Sequence, residues 1–203
     1  MNDNSRKHWE NVYETKTPDE VSWTQEKPEV SLDLIRSFGL GKEARIIDIG
    51  GGDSNLVDFL LEEGYENITV LDISSKALAK AKERLGEKAD QVTWIHSDIT
   101  MFEPSETYDI WHDRAAFHFL TQEEQVSKYV STAGKSVTGF MILGTFSKDG
   151  PKKCSGLDIR QYDEAALPEK FKSDFTKIKC FTQDHTTPFG TVQNFVFCSF
   201  KKM

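Results

Sequence analysis

The residues best placed to do chemistry begin with the run Ile46-Ile-Asp-Ile-Gly-Gly-Gly-Asp-Ser54, followed by two isolated aspartates, Asp72 and Asp98. The run reads as a buried strand entering a glycine-rich turn, with a helix starting at Ser54 or Asn55. Glycine permits positive φ and lets a ligand approach bare backbone. The first turn of a helix adds N–H groups without intrahelical partners. Such a turn suits the pyrophosphate of a dinucleotide or the carboxylate of a zwitterionic amino-acid ligand. Spacing discriminates between them. The dinucleotide fingerprint asks for glycine at the sixth position from Gly50, where this chain has Asn55. Asp48 sits in the strand end itself. Asp72 closes the next strand, where a carboxylate can accept both hydroxyls of a ribose. Asp98, in His96-Ser-Asp-Ile99, follows a third strand, placed to meet an adenine amino group while Ile99 packs on the ring.

A second chemical segment is Trp111-His-Asp-Arg-Ala-Ala-Phe-His-Phe-Leu120. Ligands in open parallel sheets bind beyond the carboxyl ends of the strands, so this segment, read as following a fourth strand, is where a reacting group belongs. Asp113 and Arg114 are expected to form an ion pair there, and His118 to act as a general base or substrate contact. His118 between two phenylalanines also fits a packed core residue, and Arg114 a loop brace. His112, beside Trp111, reads as structural. Trp9, Tyr13 and Trp23 form an N-terminal aromatic group, and anchoring a helix on the core explains Trp9 and Tyr13 equally well. The stretch Ser147–Gln161 is long and irregular, the pattern of a functional lid. Cys154 on it has no identifiable partner base and reads as an ordinary loop thiol, and His185 as a turn residue.

The elements that must position these residues follow from periodicity. Residues 5–15 have helical spacing, and Pro28 opens a helix closed by Gly39 and Gly41. Strand-length apolar runs at 44–49, 68–71, 92–96, 108–111 and 137–146 alternate with helical patterns at 56–61, 77–85 and 122–133. Alternation of this kind implies crossover connections and a mostly parallel sheet covered on both faces. The tail departs from it. Two extended runs, 178–182 and 192–200, flank His185-Thr-Thr-Pro-Phe-Gly190, which predicts a closing antiparallel hairpin.

The chain has 203 residues, enough for one domain with a full core. A formal charge of -8 and a pI near 5.2 argue against nucleic acid or an anionic membrane as the main partner. The N-terminus lacks the apolar stretch of a signal peptide, and no apolar run approaches the ~20 residues of a membrane span. Three cysteines, Cys154, Cys180 and Cys198, are odd in number and far apart. They do not look like a disulfide framework or a zinc site, and a reducing, cytoplasmic setting follows. No His/Asp/Glu cluster has metal-ligand spacing, so no metal is expected.

Taken in order, Asp48–Ser54, Asp72 and Ser97-Asp98-Ile99 resemble the cofactor motifs of class I S-adenosylmethionine-dependent methyltransferases. The resemblance covers about residues 44–200. It implies a Rossmann-like α/β fold: a seven-stranded, mostly parallel sheet with an antiparallel last strand and helices on both faces. It implies S-adenosylmethionine as cofactor, with Gly50 and Gly52 at the methionine moiety and Gly51 and Ser54 in the same turn. Asp72 with Ile73 falls at the ribose, and Asp98 with Ile99 at the adenine. The family often has a third glycine where this chain has Ser54, a mild change because serine caps helices well. The N-terminal aromatics and the Trp-x-Asp-Arg pattern are loosely similar to the thiopurine-methyltransferase and small lysine-methyltransferase branch. That similarity implies an N-terminal helical lid or extension over residues 1–40, a methyltransferase domain at 41–203, and Trp23 at the cofactor. The implied reaction moves a methyl group to an N, O, S or C acceptor, a small molecule being favoured and a protein side chain remaining open. Two other readings stand beside it. A nicotinamide-dependent oxidoreductase shares Asp72 but conflicts with Asn55 and the tail hairpin, and a non-catalytic binder of the same cofactor would carry the same motifs.

Overall fold

The computed structural model describes residues 3–203. Helices α1 (Asp3–Thr15) and α2 (Glu29–Ser37) precede the first strand. There follow β1 (Arg45–Ile49), α3 (Leu56–Glu62), β2 (Asn67–Asp72), α4 (Ser75–Leu85), β3 (Val92–His96), β4 (Tyr108–Arg114), α5 (Glu123–Ser136) and β5 (Val137–Phe146). A small hairpin of β6 (Lys153–Cys154) and β7 (Leu157–Asp158), the short α6 (Ala166–Glu169), and a long hairpin of β8 (Phe175–Thr186) and β9 (Val192–Lys202) complete the chain.

Seven strands form one sheet in the order β3-β2-β1-β4-β5-β9-β8. β1 to β5 pair in parallel, and β9 runs antiparallel to both β5 and β8. Alternate residues of each strand face opposite layers. Ile47 and Trp111 join α5 through Val126, Tyr129 and Ala133. Ile46 and Ile110 join α2, α3 and α4 through Leu32, Leu60 and Leu78. These strand side chains have no measurable exposure, and burial of each large apolar side chain contributes about 1.5–3 kcal/mol. Because α3 and α4 cover one face and α5 the other, the strand order reverses between β1 and β4. A crevice opens at such a switch point, outside the carboxyl ends of the strands.

The expected fold is the observed one, with differences at three places. β4 does not stop at Trp111 but runs on through His112, Asp113 and Arg114, because polar partners inside the protein replace the apolar packing that ordinarily marks a strand. The stretch 147–161 is not wholly irregular, since β6 and β7 pair within it. The cysteine reading is corrected: Cys180 and Cys198 lie opposite each other on β8 and β9 and are joined in a disulfide. The one free cysteine, Cys154, is buried rather than displayed on a loop.

Candidate active site

A cavity of about 750 Å³ occupies the switch-point crevice. Asp98, Asp72, Gly50 and Arg114, from the ends of β3, β2, β1 and β4, line it in the order in which those strands lie in the sheet. Asp48, Gly51, Ser54, Ile73, Ile99 and Trp23 line it too.

The glycine turn is held from within. The Gly50 and Gly51 amides both donate to Leu71 O on β2, at 2.7 and 3.2 Å. These two N–H groups are therefore engaged by the sheet. A Cβ on Gly51 would come within 2.6 Å of Asp48 Oδ2, and one on Gly50, at φ +66, within 2.6 Å of Ala116 Cβ. Gly52 does not line the cavity. It makes room for the groups that do, since a Cβ there would lie 2.9 Å from Asp72 Oδ2 and 3.0 Å from the Tyr13 hydroxyl. Ser54 Oγ accepts from Leu56 N at the start of α3. Arg84 of α4, for which the sequence held no signal, lines the cavity as well and clamps the turn by pairing with Asp53 and Asp58 and donating to Ser54 O.

Asp72 is buried, and its Oδ1 accepts from Ser74 N at 2.7 Å. Burial, opposed by that bond and reinforced by nearby Asp48 and Glu10, pushes its pKa up to about 7. Asp98 holds Thr100 N and Thr100 Oγ1 on Oδ1, each at 2.8 Å. This turns the chain after β3 and fixes the carboxylate at the cavity edge.

At the end of β4 alternate side chains part company. His112 lies between Asp48 Oδ1 (2.7 Å from Nδ1) and Ser31 Oγ (2.8 Å from Nε2). The chain Ser31–His112–Asp48 is buried and ties α2 to the cofactor turn. Asp113 points to the other face. Its carboxylate accepts from Ala116 N, Phe117 N and the Tyr129 hydroxyl at 3.0, 3.1 and 2.8 Å. This brace holds the turn in which Ala115 adopts φ +70, a left-handed conformation that costs a non-glycine residue about 1–2 kcal/mol. The expected Asp113–Arg114 ion pair does not form, because neighbouring strand residues face opposite sides, and Asp113 does not reach the cavity. Arg114 does, and its Nη1 donates to Trp23 O at 2.9 Å. His118 is also outside the cavity. It is fully buried, stacks on Phe146 at 4.6 Å, and its Nδ1 accepts from Phe146 N. Burial and then the Arg114 charge push its pKa down to about 3, so it is a neutral core residue.

The cavity is roofed by α1. Trp9 makes ring contacts with Trp23 and Phe119, at 5.5 and 5.1 Å between centroids, and all three line the space, with Tyr13 beside them. Glu10, another residue that sequence reasoning missed, docks the helix. Its carboxylate accepts from Ser75 N and Lys76 N at the start of α4 and from the Ser74 and Ser75 hydroxyls. Burial raises its pKa, but these bonds outweigh that and lower it overall. A spacing signal existed for neither Glu10 nor Arg84, since both act across elements. On the other rim His8 meets Ser155 at 3.1 Å in the β6–β7 turn. The neighbouring Cys154 lines the cavity, its thiol pushed up to about 12 chiefly by burial. His185, read as a turn residue, lies within β8 and bonds Ser22 O at 2.7 Å.

Comparison with known proteins agrees with this geometry. Residues 46–137 match a family model described as a methyltransferase domain. The chain is 32% identical over 103 residues to a malonyl-[acyl-carrier protein] O-methyltransferase of Anoxybacillus flavithermus, an alignment covering 50% of this chain and 38% of that protein. It is 27% identical over 125 residues to the mouse eEF1A lysine and N-terminal methyltransferase, covering 61% of this chain and 18% of that one. The chain thus spans less than half the length of either relative. Among solved structures, N-methyltransferase NodS from Bradyrhizobium japonicum WM9, in complex with S-adenosyl-L-homocysteine, superposes with a TM-score of 0.77 at 16% identity. That match covers 98% of this chain and 99% of that one. Residues 46–137 thus match a methyltransferase domain, and the superposition shows a Rossmann-like fold shared with a methyltransferase solved in complex with S-adenosyl-L-homocysteine. No helix among the described residues is long and apolar enough to cross a membrane.

Proposed function

We propose that this chain transfers the cofactor's methyl group to a small-molecule acceptor held between β4, Trp23 and the roof helix. The carrying observation is the partial cover: residues from four strand ends line one cavity that α1 and the β6–β7 turn cover in part. A protein side chain needs an open approach, so a roofed cavity favours a small acceptor over a lysine on a folded partner. That relatives include a malonyl-[acyl-carrier protein] O-methyltransferase and an eEF1A methyltransferase keeps the protein acceptor as the second reading. The negative charge argues against a nucleic-acid acceptor.

The donor set fits the cofactor. Asp72 is the ribose acceptor, with Ile73 alongside, and Asp98 and Ile99 hold the adenine. The turn from Gly50 to Ser54, with Asp48 behind it, takes the methionine moiety, and Gly51 and Gly52 keep that turn and the Asp72–Tyr13 approach free of Cβ atoms. Trp23 closes over the sulfonium end. When bound, the cofactor supplies an electrophilic methyl, so the protein needs no nucleophile of its own. The work of the chain is to orient the acceptor and exclude water, and orientation of this kind can account for about 7–11 kcal/mol of a barrier. Arg114 is the charged group at the acceptor end. Asp113 and His118 act behind the wall as braces of the β4 turn. Residues 1–40 serve as the lid or extension, α1 and the segment 18–25 being the covering part, on a domain spanning 41–203. A cytoplasmic site of action suits the cofactor's supply, although the Cys180–Cys198 bond takes away the thiol-based argument for it.

The test is transfer of label from methyl-labelled S-adenosylmethionine into a cell extract split by dialysis. Label appearing in the small-molecule fraction is the expected result. Label confined to protein would transfer the reading to the second acceptor class, and no transfer to either fraction would make the chain a binder only.

A further inference from the structure

An unpaired cation stands at the end of the cavity farthest from Asp98. Arg114 closes β4 and lines the main cavity. On its other side it borders a second cavity of about 220 Å³ beside His185 and Phe195. Nη1 is committed to Trp23 O, and the guanidinium lies 4.8 Å from the centre of the Phe195 ring. Nε is buried without any acceptor. Among the described residues Arg114 forms no ion pair. Asp113 is turned away and taken by Ala116, Phe117 and Tyr129, and Asp48 is taken by His112. The thiol of Cys154 stays protonated because burial outweighs the pull of Arg114. Asp48 and Cys154 favour the charge from a distance without pairing with it, and the charge is felt around it. After burial itself, Arg114 is what lowers the pKa of both His118 and His185. Burial draws its own pKa down to about 10, which leaves it charged at neutral pH.

A chain with 33 acidic residues and a net charge of -8 has no shortage of partners. A partly buried charge left without one is costly, and that cost is relieved if a ligand brings the counter-charge. Nε and Nη2 have no acceptor among the described residues, and that edge of a guanidinium is the one that takes a carboxylate in bidentate fashion. The main cavity that Arg114 lines is walled by Trp23 and Phe119, apolar faces suited to a carbon skeleton.

We propose that Arg114 anchors a carboxylate of the methyl acceptor, so that the acceptor is a small organic acid whose carbon skeleton lies against Trp9, Trp23 and Phe119. The proposal rests on the methyltransferase reading above and specifies its substrate class. The test is calorimetry on protein saturated with S-adenosylhomocysteine, in low-halide buffer, with malonate, succinate and benzoate against malonamide, succinamide and benzamide. At least one acid binds, and its amide binds about tenfold more weakly or worse, a gap of about 1.4 kcal/mol. In Arg114→Gln the acid and amide become equal within about twofold, while Arg114→Lys keeps part of the preference because it retains charge without the fork. Equal binding of acid and amide by the unaltered protein, binding of no acid, or a preference that survives Arg114→Gln overturns the proposal. If Arg114→Gln fails to fold, the acid–amide comparison on the unaltered protein and the lysine variant decide it. Failure of S-adenosylhomocysteine to bind refutes the methyltransferase reading instead, and the same acid–amide comparison on the ligand-free protein then judges Arg114 separately.

Discussion

Asp72 carries the sharpest consequence of the site's electrostatics. Its carboxyl sits in a buried corner near Asp48 and Glu10, which holds its pKa at about 7. In its proposed role of accepting two ribose hydroxyls it must be ionised. Ligand binding therefore favours the deprotonated form, and affinity rises with pH until the group is fully ionised. With a pKa of about 7, the apparent dissociation constant scales as one plus the ratio of proton concentration to the acid constant. Affinity for S-adenosylhomocysteine is then about 11-fold below its plateau at about pH 6 and within about 10% of it at about pH 8. The folded-state pKa lies above the ordinary carboxylate value. The ligand-free fold therefore holds its proton most favourably at low pH and loses stability as pH climbs from about 4 through about 7. The stabilisation conferred by the ligand accordingly grows over the upper part of the same range. Calorimetric titration at several pH values, with Asp72→Asn as the control for the ligand's own ionisation, reads this directly. The expected result is a slope in the unaltered protein that vanishes in the asparagine variant, which also binds more weakly at high pH. A flat profile, or the same slope in Asp72→Asn, would refute the reasoning.

Further consequences concern the supports of the site. Asp113→Ala leaves Ala116 N, Phe117 N and the Tyr129 hydroxyl without their acceptor, at about 1–3 kcal/mol per buried group. It should lower the melting temperature severely while folded protein still binds S-adenosylhomocysteine within a few-fold. A normal melting temperature with lost turnover would return Asp113 to the active site. Glu10→Ala removes the carboxylate that caps α4 and docks α1. A loss of about 1–2 kcal/mol and faster ligand release in stopped-flow measurements are expected, and unchanged release would detach α1 from any covering role. His118 should show no ionisation between about pH 5 and pH 8 in a histidine NMR titration, since burial keeps it neutral, and an ordinary imidazole titration would contradict its placement. Non-reduced, denatured protein should titrate one thiol, Cys154, with Cys180 and Cys198 joined. Three thiols would show that the bond does not form.

The sheet was legible because its apolar runs and helical spacings mark themselves. Runs at 92–96 and 137–146 coincide with β3 and β5. The placement of the glycine turn, Asp72 and Asp98 in the crevice was legible because each lies at or just beyond the end of a strand that periodicity marks. What could not be read was direction. His112, Asp113 and Arg114 look alike as a polar run, yet strand alternation sends Asp113 into the α5 layer and leaves His112 and Arg114 on the cavity side. His118 between two aromatic residues left two roles open, and only the tertiary packing onto Phe146 chooses between them. The disulfide had a signal that went unused. Cys180 and Cys198 stand nine residues either side of Phe189, at the tip of the predicted hairpin, so symmetrical pairing sets them face to face. Glu10 and Arg84 join elements far apart in sequence, and no spacing rule announces such contacts.

The measurement closest to the central claim is a thermal-shift titration with S-adenosylhomocysteine, with NADH as the control. At about 100 times its dissociation constant, a ligand that binds only the folded state adds about 2.7 kcal/mol, which for a chain of ~200 residues is a rise of about 5–11 °C. The account predicts that rise with S-adenosylhomocysteine and none with NADH. A rise with NADH alone, or none with S-adenosylhomocysteine at millimolar concentration, would contradict it.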